Sequence, residues 1–214
     1  PNTSSAASDV YKRQQLIAHL LLKNKAIQLR PDNMFQWSSG MLSPIYCDNR
    51  ILLSDHDARS AVKKAFCTML ENYQFKSVAG VATAGIAHGA LVADALRLPF
   101  CYVRSKAKAH GMQNMIEGRV EPGSDVVVIE DLFSTGGSSI QAAKALEAAG
   151  ANVVAIGAIF TYGFTKARQA FDEAGYKTFA LSDFETLIGL PEVQDNFSKE
   201  NLAVLQEWYA TNCK

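Results

Sequence analysis

The sequence predicts an α/β fold: a doubly wound, mainly parallel sheet flanked by helices. Three observations carry this expectation. Short β-branched apolar runs alternate with amphipathic segments along most of the chain, the signature of repeated strand–helix units. The strongest run, Val126-Val127-Val128-Ile129, is apolar at every position, as in strands covered on both faces. Gly150 and Gly175 stand where the helices following two of these strands should end, because glycine accepts the left-handed conformation of a helix C-cap.

The elements follow in order. Residues 1–14, PNTSSAASDVYKRQ, start without Met, are small and polar, and lack an apolar period, so they read as a disordered or non-native tail. Residues 15–25 place Leu16, Ile17, Leu20 and Leu21 on one helical stripe. Residues 26–50 mix short extended pieces with turns at Ser39-Gly40 and Ser43-Pro44. Ser54 with Asp57 makes a capping box before a second helix, whose stripe is Val62, Ala65, Phe66, Met69 and Leu70. Strands are expected near 77–82, 100–104, 125–130, 152–160 and 178–181, with helices near 86–97, 140–149 and 166–174 between them. Ser182 with Glu185 opens a short helix, and residues 199–209 form the last. Residues 107–122 break the pattern: a polar, glycine-containing stretch without period, of a length that usually signals function in a compact domain.

A chain of 214 residues supports one substantial core with room for a small cap. No repeat or low-complexity linker divides it, so residues 15–214 read as a single domain. Its 21 basic and 21 acidic residues cancel, which gives no reason to expect nucleic acid or a membrane surface as a partner. Apolar runs break well short of the roughly 20 residues a spanning helix needs, and no secretory signal is present. Cys47, Cys67, Cys101 and Cys213 are dispersed, without a CxxC or a metal-like cluster. They read as reduced packing cysteines of a cytoplasmic protein, and no residue is assigned as a metal ligand.

Chemistry concentrates in residues 126–139. The apolar strand ends on Glu130 and Asp131, and after Leu132 and Phe133 comes the turn Ser134-Thr135-Gly136-Gly137-Ser138-Ser139 before a helix-forming run. Ligands of open α/β sheets bind at the carboxyl ends of strands, and helix N-termini attract phosphate. The glycines let backbone N–H groups approach an anion, and the hydroxyls add donors. Two carboxylates cannot favour a bare phosphate; they suit sugar hydroxyls or a metal. A plain turn would explain the glycines but not the paired acids beside them. No GxxxxGK[ST] and no GxGxxG after a strand offers a rival phosphate loop. The combination describes a pocket for a ribose phosphate.

This run resembles the phosphoribosyl-diphosphate (PRPP) motif of the type I phosphoribosyltransferases. Further segments narrow the resemblance to the orotate phosphoribosyltransferases: FQWSSGMLSPIYCDNR (35–50), GVATAGIAHGA (80–90), CYVRSKAKAHGMQNMIEG (101–118), FTYG (160–163) and the later LSDFETLI. It runs from about Gln15 to the C-terminus. The resemblance implies a type I phosphoribosyltransferase-like fold, with a small hood formed by about 15–50 and the C-terminal helices. It implies transfer of ribose 5-phosphate from PRPP to orotate, giving orotidine 5′-phosphate and diphosphate in pyrimidine synthesis. Mg²⁺ would be bound mainly through PRPP, and the protein would be a homodimer with shared active sites.

Site residues follow from both readings. Ser134, Thr135, Gly136, Gly137 and Ser138 would surround the 5′-phosphate, and Leu132 and Phe133 count among the PRPP-binding residues. Glu130 and Asp131 would take the ribose 2′- and 3′-hydroxyls, and their field would favour an oxocarbenium ion. Arg104, Lys108 and His110 are the diphosphate candidates, as a planar fork, a point charge and a protonatable donor. By resemblance these three close over PRPP in the neighbouring subunit, with Asp131, Glu130, Lys108 and His110 as the catalytic set; Gly111 and Gly118 would be hinges, and Lys106 lies beside them. Thr83, Ala84 and Gly85 would form a second anion loop, although some relatives carry a lysine where Ala84 stands. Ser134 and Tyr46 match orotate-contacting positions. Two others differ: Ser38 replaces a lysine of some relatives, and Thr161-Tyr162-Gly163 stands where some aim an arginine at the substrate carboxylate. Arg50 is a substitute for that arginine or simply a surface residue. His88 reads as a packed or surface histidine. Two alternatives stay open: another base-specific type I phosphoribosyltransferase, or a non-catalytic PRPP-sensing regulator. A regulator would be expected to show a nucleic-acid face, and neither the charge nor a basic helix-turn-helix provides one.

Overall fold

The computed structural model describes residues 3–37, 39–106 and 115–213, with side chains from Ser8 onward. In chain order the elements are helix α1 (Thr3–Lys23), strands β1 (Ile27–Leu29), β2 (Phe35–Gln36), β3 (Leu42–Ser43) and β4 (Ile45–Cys47), and a 3₁₀ helix (Asn49–Ser54). There follow α2 (His56–Leu70), β5 (Ser77–Val81), α3 (Ala84–Leu96), β6 (Phe100–Val103), β7 (Ile116–Glu117) and β8 (Asp125–Phe133). The chain continues with α4 (Gly137–Ala148), β9 (Asn152–Thr161), α5 (Thr165–Ala174), β10 (Thr178–Asp183), α6 (Phe184–Ile188), α7 (Pro191–Asn196) and α8 (Lys199–Cys213).

Six strands form the main sheet in the order β10-β9-β8-β5-β6-β7. All neighbours are parallel except the edge pair β6–β7. The expected doubly wound sheet is therefore present. Strand β8 explains its unbroken apolar run. Val127 and Ile129 join one core with Ile17, Phe66, Ile159 and Leu181, while Val126 and Val128 join the other with Leu146, Ile156 and Phe171. Alternate side chains serve opposite faces, and both faces are covered.

Two small antiparallel pairs, β1–β4 and β2–β3, form the hood. It is tied down by indole groups: Trp37 Nε1 donates to the Ile45 carbonyl at 3.2 Å, and Trp208 Nε1, from α8, donates to the Leu42 carbonyl at 3.2 Å. Trp37, Tyr162, Phe164 and Trp208 pack as one aromatic cluster beneath the hood, with Trp37 and Tyr162 ring centres 4.9 Å apart. Among the described residues no helix is long and apolar enough to cross a membrane.

Several expectations need correction. The first helix begins at Thr3, so the segment expected to lack structure is helical over its described part. Helix propagation adds one bond per residue once a turn exists, and the Gln14 carbonyl is anchored by Ser182 Oγ at 2.9 Å. Residues 8–12 are nonetheless exposed. Leu16 is half exposed, off the stripe that buries Ile17, Ala18 and Leu21. Both serine caps give way to the neighbouring aspartate. Asp55 accepts from the Asp57 and Ala58 N–H groups, and Asp183 from that of Thr186, because a carboxylate gains more than a hydroxyl at a helix's positive end. Strand β8 also runs three residues past Glu130, since Leu132 and Phe133 keep their pairing with Phe160 and Thr161. Within the expected loop 107–122, Ile116–Glu117 forms the edge strand.

Candidate active site

The carboxyl ends of β9, β8, β5 and β6 lie side by side, and each is followed by residues expected to bind ligand. After β8 the chain turns through Gly136, whose φ of 80° falls in the left-handed region. A Cβ there would lie 2.9 Å from the Phe171 ring, so both conformation and space demand glycine. Gly136 is the N-cap of α4, and among the described residues no side chain caps that helix's first turn. Its leading N–H groups are free to meet an anion, with the helix dipole behind them.

Glu130 is 5% exposed. Its Oε1 accepts the Asp131 N–H at 3.0 Å, and its Oε2 accepts hydroxyls from Ser138 at 3.1 Å and Ser139 at 3.2 Å. Burial, then the adjoining Asp131 carboxylate, pushes the Glu130 carboxyl up to about 8. Ser138, expected on a phosphate, is thus engaged by Glu130, which knits the strand end to the helix start. Asp131 is half-buried, and its backbone carbonyl receives Asn49 Nδ2 at 2.7 Å.

Phe133, expected among the PRPP-binding residues, has a buried ring. It is 4% exposed, packs on Phe171 with centres 4.9 Å apart and joins the core that holds Val126, Val128 and Leu146. Its contribution is to seat the ring that borders Gly136.

Beside β8, Thr83 follows β5 as the N-cap of α3, Ala84 and Gly85 are the first residues of that helix, and the Ala82–Thr83 peptide is cis. Thr83 is exposed and its hydroxyl caps no helical N–H. Gly85 is buried against β8: a Cβ would stand 2.4 Å from the Ile129 carbonyl oxygen. The glycine brings this loop against the strand end that carries the two acids. Arg104 follows β6, half-exposed, with Nη1 3.5 Å from Glu117 Oε1. Lys106 is exposed. Ser38, Lys108, His110 and Gly111 lie outside the described residues; Gly118 has φ 106°.

Beyond Ser134, towards β9, a cavity of about 770 Å³ opens under the hood, lined by Tyr46, Leu132, Ser134, Thr135, Tyr162 and Lys166 among others. This size suits a small ligand. Tyr46 and Ser134 thus share one pocket. Tyr46 is held by Phe35, ring centres 5.5 Å apart. Burial raises the Tyr162 hydroxyl well above its usual range, and burial, with Asp131 and Asp48 nearby, does the same to the Cys47 thiol. Arg50 is engaged elsewhere: its Nε and Nη2 fork onto Asp48 at 2.7 and 2.8 Å.

Sequence reasoning missed two residues. Asn49, fully buried, lay within the 35–50 segment but carries no signal of its contact with a residue 82 positions away. His88, read from the sequence as a packed or surface histidine, is packed at 2% exposure, with the Asn49 backbone as a hydrogen-bond partner and, among the described residues, no partner for its Nε2. Lys166 lines the pocket three residues beyond the FTYG segment.

The phosphoribosyl transferase domain matches residues 52–194, a span that takes in the Thr83–Gly85 loop and the whole Glu130–Ser139 run. Fold and site therefore define a phosphoribosyl transferase domain. Over 91% of its length the chain is 48% identical to orotate phosphoribosyltransferase of Bacillus subtilis (strain 168), covering 91% of that protein. It matches the solved orotate phosphoribosyltransferase of Aeropyrum pernix at a TM-score of 0.72 and 28% identity, over 80% of this chain and 96% of that one. UMP synthase of Leishmania donovani matches at a TM-score of 0.80 and 26% identity, over 92% of this chain but 42% of that longer one. The chain belongs to the orotate phosphoribosyltransferase family.

Proposed function

We propose that this protein transfers the 5-phosphoribosyl group of PRPP to orotate, releasing diphosphate and forming orotidine 5′-phosphate for pyrimidine synthesis. The observation that carries the reading is the order of the strand ends. Going from β9 through β8 to β5, the chain presents an aromatic pocket, a carboxyl pair with a phosphate turn and a second anion loop. That is the order base, ribose phosphate, diphosphate.

The 5′-phosphate sits on the α4 N-terminus, against the backbone of residues 134–138 and the Ser134 and Thr135 hydroxyls. The ribose diol faces Asp131, with Glu130 behind it. Diphosphate lies on the Thr83–Gly85 loop and is closed in by Arg104, Lys108 and His110 of a partner subunit in a homodimer. Orotate lies against Tyr46 and Ser134. The C1′–oxygen bond breaks with its electron pair leaving on diphosphate, and the N1 lone pair of orotate forms the new C1′–N1 bond as the N1 proton is lost. Asp131 stabilises the positive charge that develops on the ribose, and loop closure excludes the water that would otherwise capture it. N1 is acidic enough to need no strong protein base.

The donors present fit a divalent ion carried by substrate. Among the described residues no three His, Cys, Asp or Glu side chains gather as a cage, while the Asp131 carboxylate stands at the ribose position. Mg²⁺ would be held chiefly by PRPP, with Asp131 close by, and would neutralise charge on the diphosphate. The four free cysteines fit a cytoplasmic setting.

A base panel tests the reading. With PRPP and Mg²⁺, orotate should be converted to its nucleotide faster than uracil, hypoxanthine or adenine, with diphosphate released one for one. Preference for another base would overturn the substrate, and binding of PRPP without turnover of any base would favour a sensor.

A further inference from the structure

Orotate differs from uracil by a carboxylate on the ring, and a pocket that selects it must supply a positive partner. Burying an anion without one is costly. The cavity under the hood has aromatic, amide and hydroxyl walls, and burial keeps its Tyr162 and Cys47 uncharged. Among its described lining residues one side chain carries a formal charge, Lys166.

Three arginines around the site are already committed. Arg50 forks onto Asp48. Arg104 sits 3.5 Å from Glu117 at the far side of the site. Arg168, two residues along from Lys166, donates Nη2 to the Cys213 carbonyl at 2.9 Å. The Lys166 ammonium has no ion pair among the described residues.

Its backbone, by contrast, is firmly placed. Lys166 lies in the first turn of α5. Before it, Phe164 stacks on Tyr162 at 5.3 Å and 25°; after it, Ala167 is buried and returns its N–H to the Phe164 carbonyl at 3.0 Å. The aromatic cluster that floors the pocket thus fixes where the lysine's stem begins. The turn also adds the positive end of a helix to the same wall.

We infer that Lys166 is the residue that reads the carboxylate of the pyrimidine, its ammonium closing an ion pair across the mouth of the pocket. The inference rests on the proposed use of orotate. A solvated surface lysine would be equally exposed, but it would carry none of the base affinity.

The test uses the whole protein with Lys166→Gln and Lys166→Arg. A charge-assisted contact predicts that Lys166→Gln lowers kcat/KM for orotate by about 10- to 100-fold, mostly through KM. KM for PRPP and the melting temperature should stay as in the parent, and Lys166→Arg should recover much of the loss. An unchanged KM for orotate in Lys166→Gln, or an equal rise in both KM values, overturns the inference while leaving the reaction intact. Absence of orotate turnover in the parent protein would instead defeat the proposed function itself.

Discussion

Asn49 and Asp131, 82 residues apart, are joined by a 2.7 Å hydrogen bond from the Asn49 side-chain amide to the Asp131 backbone carbonyl. It ties the hood to the strand end that carries the carboxylate pair. Asn49 is fully buried, and the neighbouring His88 imidazole bonds to its backbone. The orientation of Asp131 is thereby set from the hood side, while Glu130 and the α4 serines set it from below.

Replacing Asn49 with Ala should therefore do two things. Stability should fall by about 1–3 kcal/mol, the usual consequence of leaving a buried partner unsatisfied. Turnover should fall by roughly 10-fold as Asp131 loses its fixed position. Thermal melting and steady-state kinetics check both. A lower melting temperature with unchanged kcat would make Asn49 a packing residue only.

Glu130 predicts a pH dependence of stability. Its carboxyl is raised from 4.5 to about 8 by burial and by Asp131. Between those values the folded protein holds a proton that the unfolded chain has released. The stabilisation is complete below the lower value and is lost as pH rises through the upper one, amounting to a few kcal/mol at most, on the order expected for linkage. Melting temperature should thus fall more steeply from pH 5 to 9 in the parent than in Glu130→Gln, which does not titrate. Parallel curves would show that Glu130 is not the group responsible.

The strands, the phosphate turn and the carboxylate pair were legible because each rests on local sequence: an apolar run, a glycine where φ is positive, acids at a strand end. What stayed hidden depends on distant contacts. Asn49 acquires its part only when the hood meets β8, and Lys166 only when α5 comes to the wall of the base pocket. Phe133 looked like a site residue because it lies inside the motif, yet its ring is packed into the core against Phe171. The serine caps were misplaced by one residue because serine and aspartate stood adjacent at both helix starts, and the stronger acceptor took the cap. Lys108 and His110, which the family resemblance makes important, lie outside the described residues.

The start of α1 invites a simple test. Residues 8–12 are exposed helix, while the first tertiary anchors come at Arg13, on Met69, and Gln14, on Ser182. Removing residues 1–12 should leave melting temperature and activity unchanged. A clear drop in either would show that this turn of helix contributes packing.

Shared active sites can be tested by complementation. Lys108→Ala should remove a charge-assisted contact to diphosphate, about 1.5–3 kcal/mol, on one subunit's loop. Asp131→Asn disables the ribose side of the other subunit. Each homodimer should be nearly inactive, whereas a mixed dimer holds one doubly altered site and one intact site. Mixing the two under conditions of subunit exchange should restore activity towards half per hybrid dimer. No recovery despite demonstrated exchange would mean that the loop serves its own subunit.

The most direct measurement is the loss of orotate absorbance on mixing with PRPP and Mg²⁺, each omitted in turn, for the parent and for Asp131→Asn. Orotate should disappear only when both are present, and Asp131→Asn should slow its loss on the order of 100-fold, comparable to losing one preorganised transition-state contact. Orotate left untouched in the complete mixture, or consumed equally fast by Asp131→Asn, would contradict the account.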